Sequence, residues 1–371
     1  MDFLAPYYSA LVYNLAFFMS IGFALSYATS SRIPSLKLQQ TLSGKATGLM
    51  PFAILITLWW GLRPPTYAFG DTGNYALFYK QAATLAKYPI ESDYLFNTIM
   101  VWFAKAGWSV RWWFLLIEVV YIFCHAKMCE KLFGRQALIA FIAVLSAFQF
   151  YSFGVNGIRN GMAVALMLPA IYYTGRRTWM AVIFGLMAIY THSSAMLIAG
   201  ALGLTLLVKD TRLYLLGWLL CLGGALVGGT YFETLFLTGG LIDSGHEASY
   251  YLNENADMSL FSRTGFRWDF LLYGLVPVLW GFYFIVKQDF KDKTFGRLVN
   301  IYITCNAFWL LVNQNWLSNR IAYLSWFLYV FILLYPLFRM QYLRHRQTWI
   351  AATIAGNALF TYFMFLIGKL L

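Results

Sequence analysis

A chain of 371 residues that is 60% hydrophobic, 20% aromatic and only 11% charged, with a mean hydropathy of +0.62, carries more apolar surface than a water-soluble core can absorb. Its apolar runs are continuous rather than alternating, which excludes a membrane β-barrel. The net charge of +12 sits in short connectors between those runs, which argues against nucleic acid as a partner. The fold class that remains is all-α: a polytopic integral membrane protein of about twelve transmembrane helices, with short interfacial helices on the outer face, in one integral domain.

The first apolar run, about Tyr7 to Ala28, lacks a basic leader and a cleavage site and therefore reads as a span. The connector after it carries Arg32, Lys37 and Lys45, so the positive-inside rule puts it in the cytoplasm and the N-terminus outside. A second span, about Thr47 to Leu62, brings the chain out again. There Arg63 lies just past the membrane edge and Pro64-Pro65 ends the helix sharply. Gly70-Asp71 and Thr72-Gly73 turn the chain into an amphipathic helix, Tyr75 to Lys87; Asp71 is a candidate site residue, and helix initiation is its plain alternative role. The run Leu95 to Ala106 is too short to cross a bilayer and reads as an interfacial helix on the outer side.

Further spans follow at about 112–126, 137–151, 160–174, 178–191, 193–208, 212–230, 269–286, 298–312, 321–338 and 349–368. With this assignment most lysines and arginines face the cytoplasm, against few acids there (Glu130, Asp210, Asp289 and Asp292), while the outer segments are charge-balanced. Outer segments 63–111 and 231–268 form the expected cap of the active site. Cys124, Cys129, Cys221 and Cys305 all fall in or beside apolar runs, so no disulfide is expected. No phosphate-loop, dinucleotide or zinc-hydrolase motif occurs, and neither a cofactor nor a metal is expected.

The chain is organised around residues 149–197, two apolar helices joined by a basic turn at Gly175-Arg176-Arg177. The ends away from that turn carry Arg159 and His192, which the hairpin returns to one side of the membrane. Ionisable groups at such a place are functional candidates by default, with Asn156 and Asn160 flanking the arginine. The plain alternatives are that Arg159 snorkels to head groups and that His192 caps a helix. Two more groups lie at outer helix ends: Arg263 and Arg267, four apart and able to share a helix face beside Asp269, and Arg320 in NQNWLSNR.

Arginine grips phosphate through two parallel hydrogen bonds, where lysine offers only a point charge. Arg63, Arg159, Arg263, Arg267 and Arg320, with Asp269 and Asn156, therefore suit a lipid-linked pyrophosphate and its sugars. Glycosyl transfer from such a donor needs positive charge for the leaving pyrophosphate and a base for the incoming hydroxyl. Either His192 or Asp71 could take the hydroxyl proton; His192 is favoured as the base or acceptor-positioning residue and Asp71 as the orienting group. The aromatic richness is explained by interface belts as well as by sugar stacking.

The R-x(7)-D pattern with its tyrosines (Arg63, Asp71, Tyr75, Tyr79), N-G-I-R-N-G-M-A around Arg159, T-H-S-S-A around His192 and N-R-I-A-Y-L around Arg320 resemble EpsG-like proteins, grouped with the Wzy-type polymerases of bacterial surface polysaccharide. The resemblance implies a membrane glycosyltransferase of the GT-C-like kind in the bacterial inner membrane. It would polymerise undecaprenyl-pyrophosphate-linked repeat units of O-antigen or capsule at the periplasmic face. Implied partners are those lipid-linked oligosaccharides, membrane lipid and a chain-length regulator protein. The alternatives are an O-antigen ligase, a flippase or transporter of lipid-linked sugars, and an acyltransferase. The gathering of ionisable residues at one edge favours an enzyme over an alternating-access carrier.

Overall fold

The computed structural model describes residues 5–29, 46–228, 231, 232, 235, 266–314, 318–340 and 343–367. The protein is helical, with no strand among the described residues, and several of its apolar helices embed it in a membrane. Among the described residues six runs are long and apolar enough to cross one: Tyr7–Ser26, Val110–Leu145, Thr211–Gly228, Trp268–Lys287, Ser318–Arg339 and Arg346–Leu366. Leu49–Gly61, Thr178–Thr191 and Ala195–Leu207 are shorter apolar helices. The chain forms two compact units, one from residues 1–195 with 333–371 and the other from 196–332.

The first unit is built from α1 (Ala5–Thr29), α2 (Leu49–Gly61), α3 (Thr72–Thr84), α4 (Tyr94–Lys105), α5 (Val110–Phe133), α6 (Ala137–Leu145), α7 (Phe150–Val155), α8 (Ile158–Tyr173) and α9 (Thr178–Thr191). α16 (Arg346–Leu366) also belongs to it. α1 lies along α16, where Phe17 stacks on Tyr362 at 4.3 Å and the Tyr362 hydroxyl donates to Asn14 Oδ1 at 2.7 Å. α8 is buried on almost every face, the mark of a helix enclosed by protein. The turn after it is closed by the Arg176 and Arg177 amides, which donate to the Tyr173 carbonyl at 2.9 and 2.8 Å.

The apolar run 137–151 is not one span. It divides into α6 and the six-residue α7, because the chain turns at Ser146–Gln149 and again at Asn156–Gly157 before entering α8. This second corner is tight: a Cβ added at Gly161 would stand 2.1 Å from the Phe153 carbonyl oxygen. The obstacle is backbone, which no rotamer change relieves. Gly161→Ala should therefore cost about 1–3 kcal/mol, read as a lower thermal midpoint in detergent; an unchanged midpoint would show that the corner is not close-packed.

The helix expected over Tyr75–Lys87 starts and stops three residues earlier, at Thr72 and Thr84. Its buried face, Tyr75, Tyr79 and Ala82, follows helical spacing. Tyr79 stacks on Trp113 at 5.8 Å, and Phe96 of α4 meets the same indole at 5.1 Å. α4 has twelve residues, about 18 Å of helix against roughly 30 Å of hydrocarbon. Phe96, Met100, Phe103 and Ala104 are its buried positions. The aromatic cluster thus fixes α4 on α5 and with it the residue that precedes α4.

The second unit contains α10 (Ala195–Leu207) from Met196 on, α11 (Thr211–Gly228), α12 (Trp268–Phe282) with a π-helical turn at Tyr283–Lys287, α13 (Lys293–Leu311) and α14 (Ser318–Trp326). α15 (Tyr329–Arg339) begins in it. α11 and α13 are tied by the Trp218 indole, which donates to Asn306 Oδ1 at 2.8 Å. Asp292 caps α13, accepting from the Thr294 and Phe295 amides at 2.8 and 2.9 Å. The run 321–338 is likewise broken, at Phe327-Leu328 between α14 and α15. Such a break is tolerated inside protein when its polar groups find partners; here the Leu328 amide donates to the Ser325 carbonyl at 3.2 Å.

Candidate functional site

The hairpin of α8 and α9 does return Arg159 and His192 to the same end, and what joins them there is a carboxylate from a third element. Asp93 ends the connector between α3 and α4 and is 6% exposed. Its Oδ2 accepts from Arg159 Nη1 at 2.6 Å, and its Oδ1 faces His192 Nδ1 at 2.9 Å. Asp93 stands in the left-handed region, φ 49 and ψ 48, at the cap position of α4, yet its side chain makes no cap bond. A non-glycine residue held at positive φ is strained. The strain accompanies a carboxylate turned away from its own helix and onto two distant partners.

Each partner is positioned by its own helix end. Arg159 lies in the first turn of α8, and His192 is the C-cap of α9, its amide donating to the Ala188 carbonyl at 3.0 Å. The helix-capping alternative thus describes the His192 backbone, while its ring serves Asp93. Beside them the Ser194 hydroxyl donates to Asn160 Oδ1 at 2.7 Å. The Asp93 and His192 side chains are 1% and 9% exposed, whereas Arg159 is 35% exposed. Burial by itself would raise the Asp93 carboxyl; the His192 hydrogen bond and the Arg159 charge outweigh it and hold the group below the ordinary carboxylate range. What Asp93 contributes to stability is therefore present above about pH 4 and is lost as pH falls through its lowered pKa.

An Nδ1–H directed at a carboxylate fixes the imidazole tautomer and puts the ring's lone pair on Nε2. The carboxylate at His192 Nδ1 is that of Asp93, while Asp71 meets Asn156 through its amide. Nothing in the local sequence marks Asp93, an acid just before a helix being an ordinary initiation signal.

Arg63 is enclosed by protein. It is 1% exposed, with Nη1 donating to Glu118 Oε1 at 3.0 Å and to the Trp60 carbonyl at 2.8 Å, Nη2 donating to the Val155 carbonyl at 3.2 Å, and its guanidinium 5.0 Å from the Phe114 ring centroid. Both charged side chains are wholly buried, so each needs the other. The Thr72 hydroxyl also donates to the Val155 carbonyl, and the Asp71 amide donates to Asn156 Oδ1 at 2.8 Å. Gly70 turns at φ +60, and a Cβ there would lie 2.4 Å from Asn156 Oδ1, which leaves glycine as the residue that fits. Arg63, Asp71 and Asn156 together lock the loop between α2 and α3 onto the α7–α8 corner, two to four residues from Arg159.

In the second unit Arg267 is the N-cap of α12; the expected pairing with Arg263 lies outside the described residues. Its guanidinium grips Asp269 with two bonds, Nε to Oδ1 at 2.9 Å and Nη2 to Oδ2 at 2.8 Å, and stands 3.6 Å over the Phe270 ring. The Arg267 amide donates to Asn313 Oδ1 at 2.6 Å. Arg320 is half-buried in α14. The proposed cap segment 231–268 lies largely outside the described residues, as does most of the first connector.

Compared with known proteins, the chain matches the EpsG family over residues 49–371. No curated protein and no solved structure matches it.

Proposed function

The chain belongs to the EpsG family, and from that premise we propose that it is a membrane glycosyltransferase that polymerises lipid-linked repeat units of a bacterial surface polysaccharide. The donor is a glycan on undecaprenyl pyrophosphate, the acceptor a lipid-linked repeat unit, and the reaction takes place at the periplasmic face of the inner membrane. The observation that supports this reading is the Asp93 carboxylate shared by His192 and Arg159, a base and a phosphate-binding cation on one anchor. The acceptor hydroxyl gives its proton to His192 Nε2 as its oxygen bonds to the donor's anomeric carbon. The bond from that carbon to the pyrophosphate oxygen breaks, and Arg159 meets the charge on the departing pyrophosphate. Asp93 keeps the ring in register and stabilises the imidazolium that forms. In the second unit Arg267 binds phosphate only by giving up its grip on Asp269.

The test is polymer length. His192→Ala and His192→Gln, expressed at wild-type level in a strain lacking its own polymerase, should leave single repeat units on a silver-stained gel, a drop of about 10²- to 10⁴-fold in transfer. Long modal chains from both variants would remove His192 as the base.

A further inference from the structure

A cavity of about 420 Å³ opens between α4 and α9, lined by Tyr94, Leu95 and Thr98 on one side and Ile183, Leu186, Met187 and Tyr190 on the other. It is a shallow groove, open along most of its length rather than enclosed. Its walls are apolar apart from the hydroxyls of Thr98 and the two tyrosines, whose rings meet edge to face at 6.4 Å. Tyr94 follows Asp93 directly, and Tyr190 precedes His192 by two residues, so one end of the groove abuts the shared carboxylate. From Tyr190 to Ile183 it runs about 10 Å along α9, away from the His192 end of that helix.

We propose that this groove seats the first isoprene units of the donor's polyprenyl chain. The inference rests on the glycosyl-transfer reading above and adds the lipid subsite to it. A substrate whose reacting carbon lies at His192 and whose pyrophosphate lies at Arg159 must lead its hydrocarbon off the same spot. This groove is the apolar surface that starts there. A bare lipid-facing helix presents a convex surface; here α4, too short to cross the bilayer, adds a second wall and makes the surface concave. The thioether of Met187 gives that wall the adaptability that a branched, flexible chain requires.

The experiment uses the full-length protein in phospholipid vesicles with two synthetic donors carrying the same sugar, one on undecaprenyl pyrophosphate and one on methyl pyrophosphate, which has no isoprene unit to seat. Leu186→Trp and Met187→Trp fill the groove and should lower the preference for the long-chain donor, as the ratio of kcat/KM values, at least about tenfold. Leu359→Trp, an equally exposed position on α16, should leave that ratio as it is. In parallel, a photoreactive benzophenone amino acid at position 186 should crosslink to undecaprenyl pyrophosphate. Crosslinks to phospholipid alone, undiminished by added undecaprenyl pyrophosphate, would overturn the assignment and mark the groove as an ordinary lipid contact. So would an unchanged donor ratio in both tryptophan variants. If the wild-type protein transfers sugar from neither donor, the glycosyl-transfer reading falls, and the crosslinking still decides what the groove binds.

Discussion

Asp93→Asn should reduce polymer formation by about 10²- to 10⁴-fold while the protein still folds. Asparagine has the same shape and is among the few residues that accept the left-handed backbone found at Asp93, so the connector need not rearrange. What changes is the charge and the direction of hydrogen bonding. An amide can offer N–H to His192 Nδ1 and thereby move the ring's own proton to Nε2, where the lone pair is needed. A carboxylate also favours the protonated ring. Polymer of normal length from a well-expressed Asp93→Asn protein would show that the carboxylate only braces α4. A large loss of folded protein would point the same way.

The second large effect is expected at the buried pair of Arg63 and Glu118. Removing one partner strands the other charge where nothing can solvate it, at about 3–5 kcal/mol. Arg63→Met should accordingly lower the yield of folded protein and its melting point in detergent far more than a change at an exposed arginine such as Arg176. The double variant Arg63→Met with Glu118→Leu removes both charges and should recover most of that loss, because matched apolar replacements of buried ion pairs are often neutral or better. A double variant as unstable as the single one would mean that the bonds from Arg63 to Trp60 and Val155, not the ion pair, hold this corner.

The all-helical membrane class, the short helix before α5 and the return of Arg159 and His192 to one end of their hairpin were all legible in the residue pattern. Each follows from a local signal, either the length of an apolar run or a hairpin whose turn is marked by charge. The partner that joins the last two was not legible. Asp93 lies 66 residues from Arg159 and 99 from His192, and no periodicity links positions so far apart. The same limit hides the partner of Arg63, whose counter-charge sits 55 residues on in α5. The breaks after Leu145 and Trp326 were hidden for a different reason. Neither contains proline, and an unbroken apolar run looks the same whether its helix continues or bends inside protein.

The pairing of Arg63 with Glu118 also constrains how the chain is made. At a bacterial or eukaryotic pace of about 5–20 residues per second, α2 has left the ribosome roughly 3–11 s before Glu118 follows it. A lone carboxylate at the centre of a helix costs about 2.5–3.5 kcal/mol to release into hydrocarbon, so α5 is a poor candidate for leaving the insertion machinery by itself. It enters lipid at lower cost if α2 has waited at the lateral gate with Arg63 at its edge. Biogenesis of this protein is thus expected to proceed by release of helix pairs, with the spans held back until their charges can be matched.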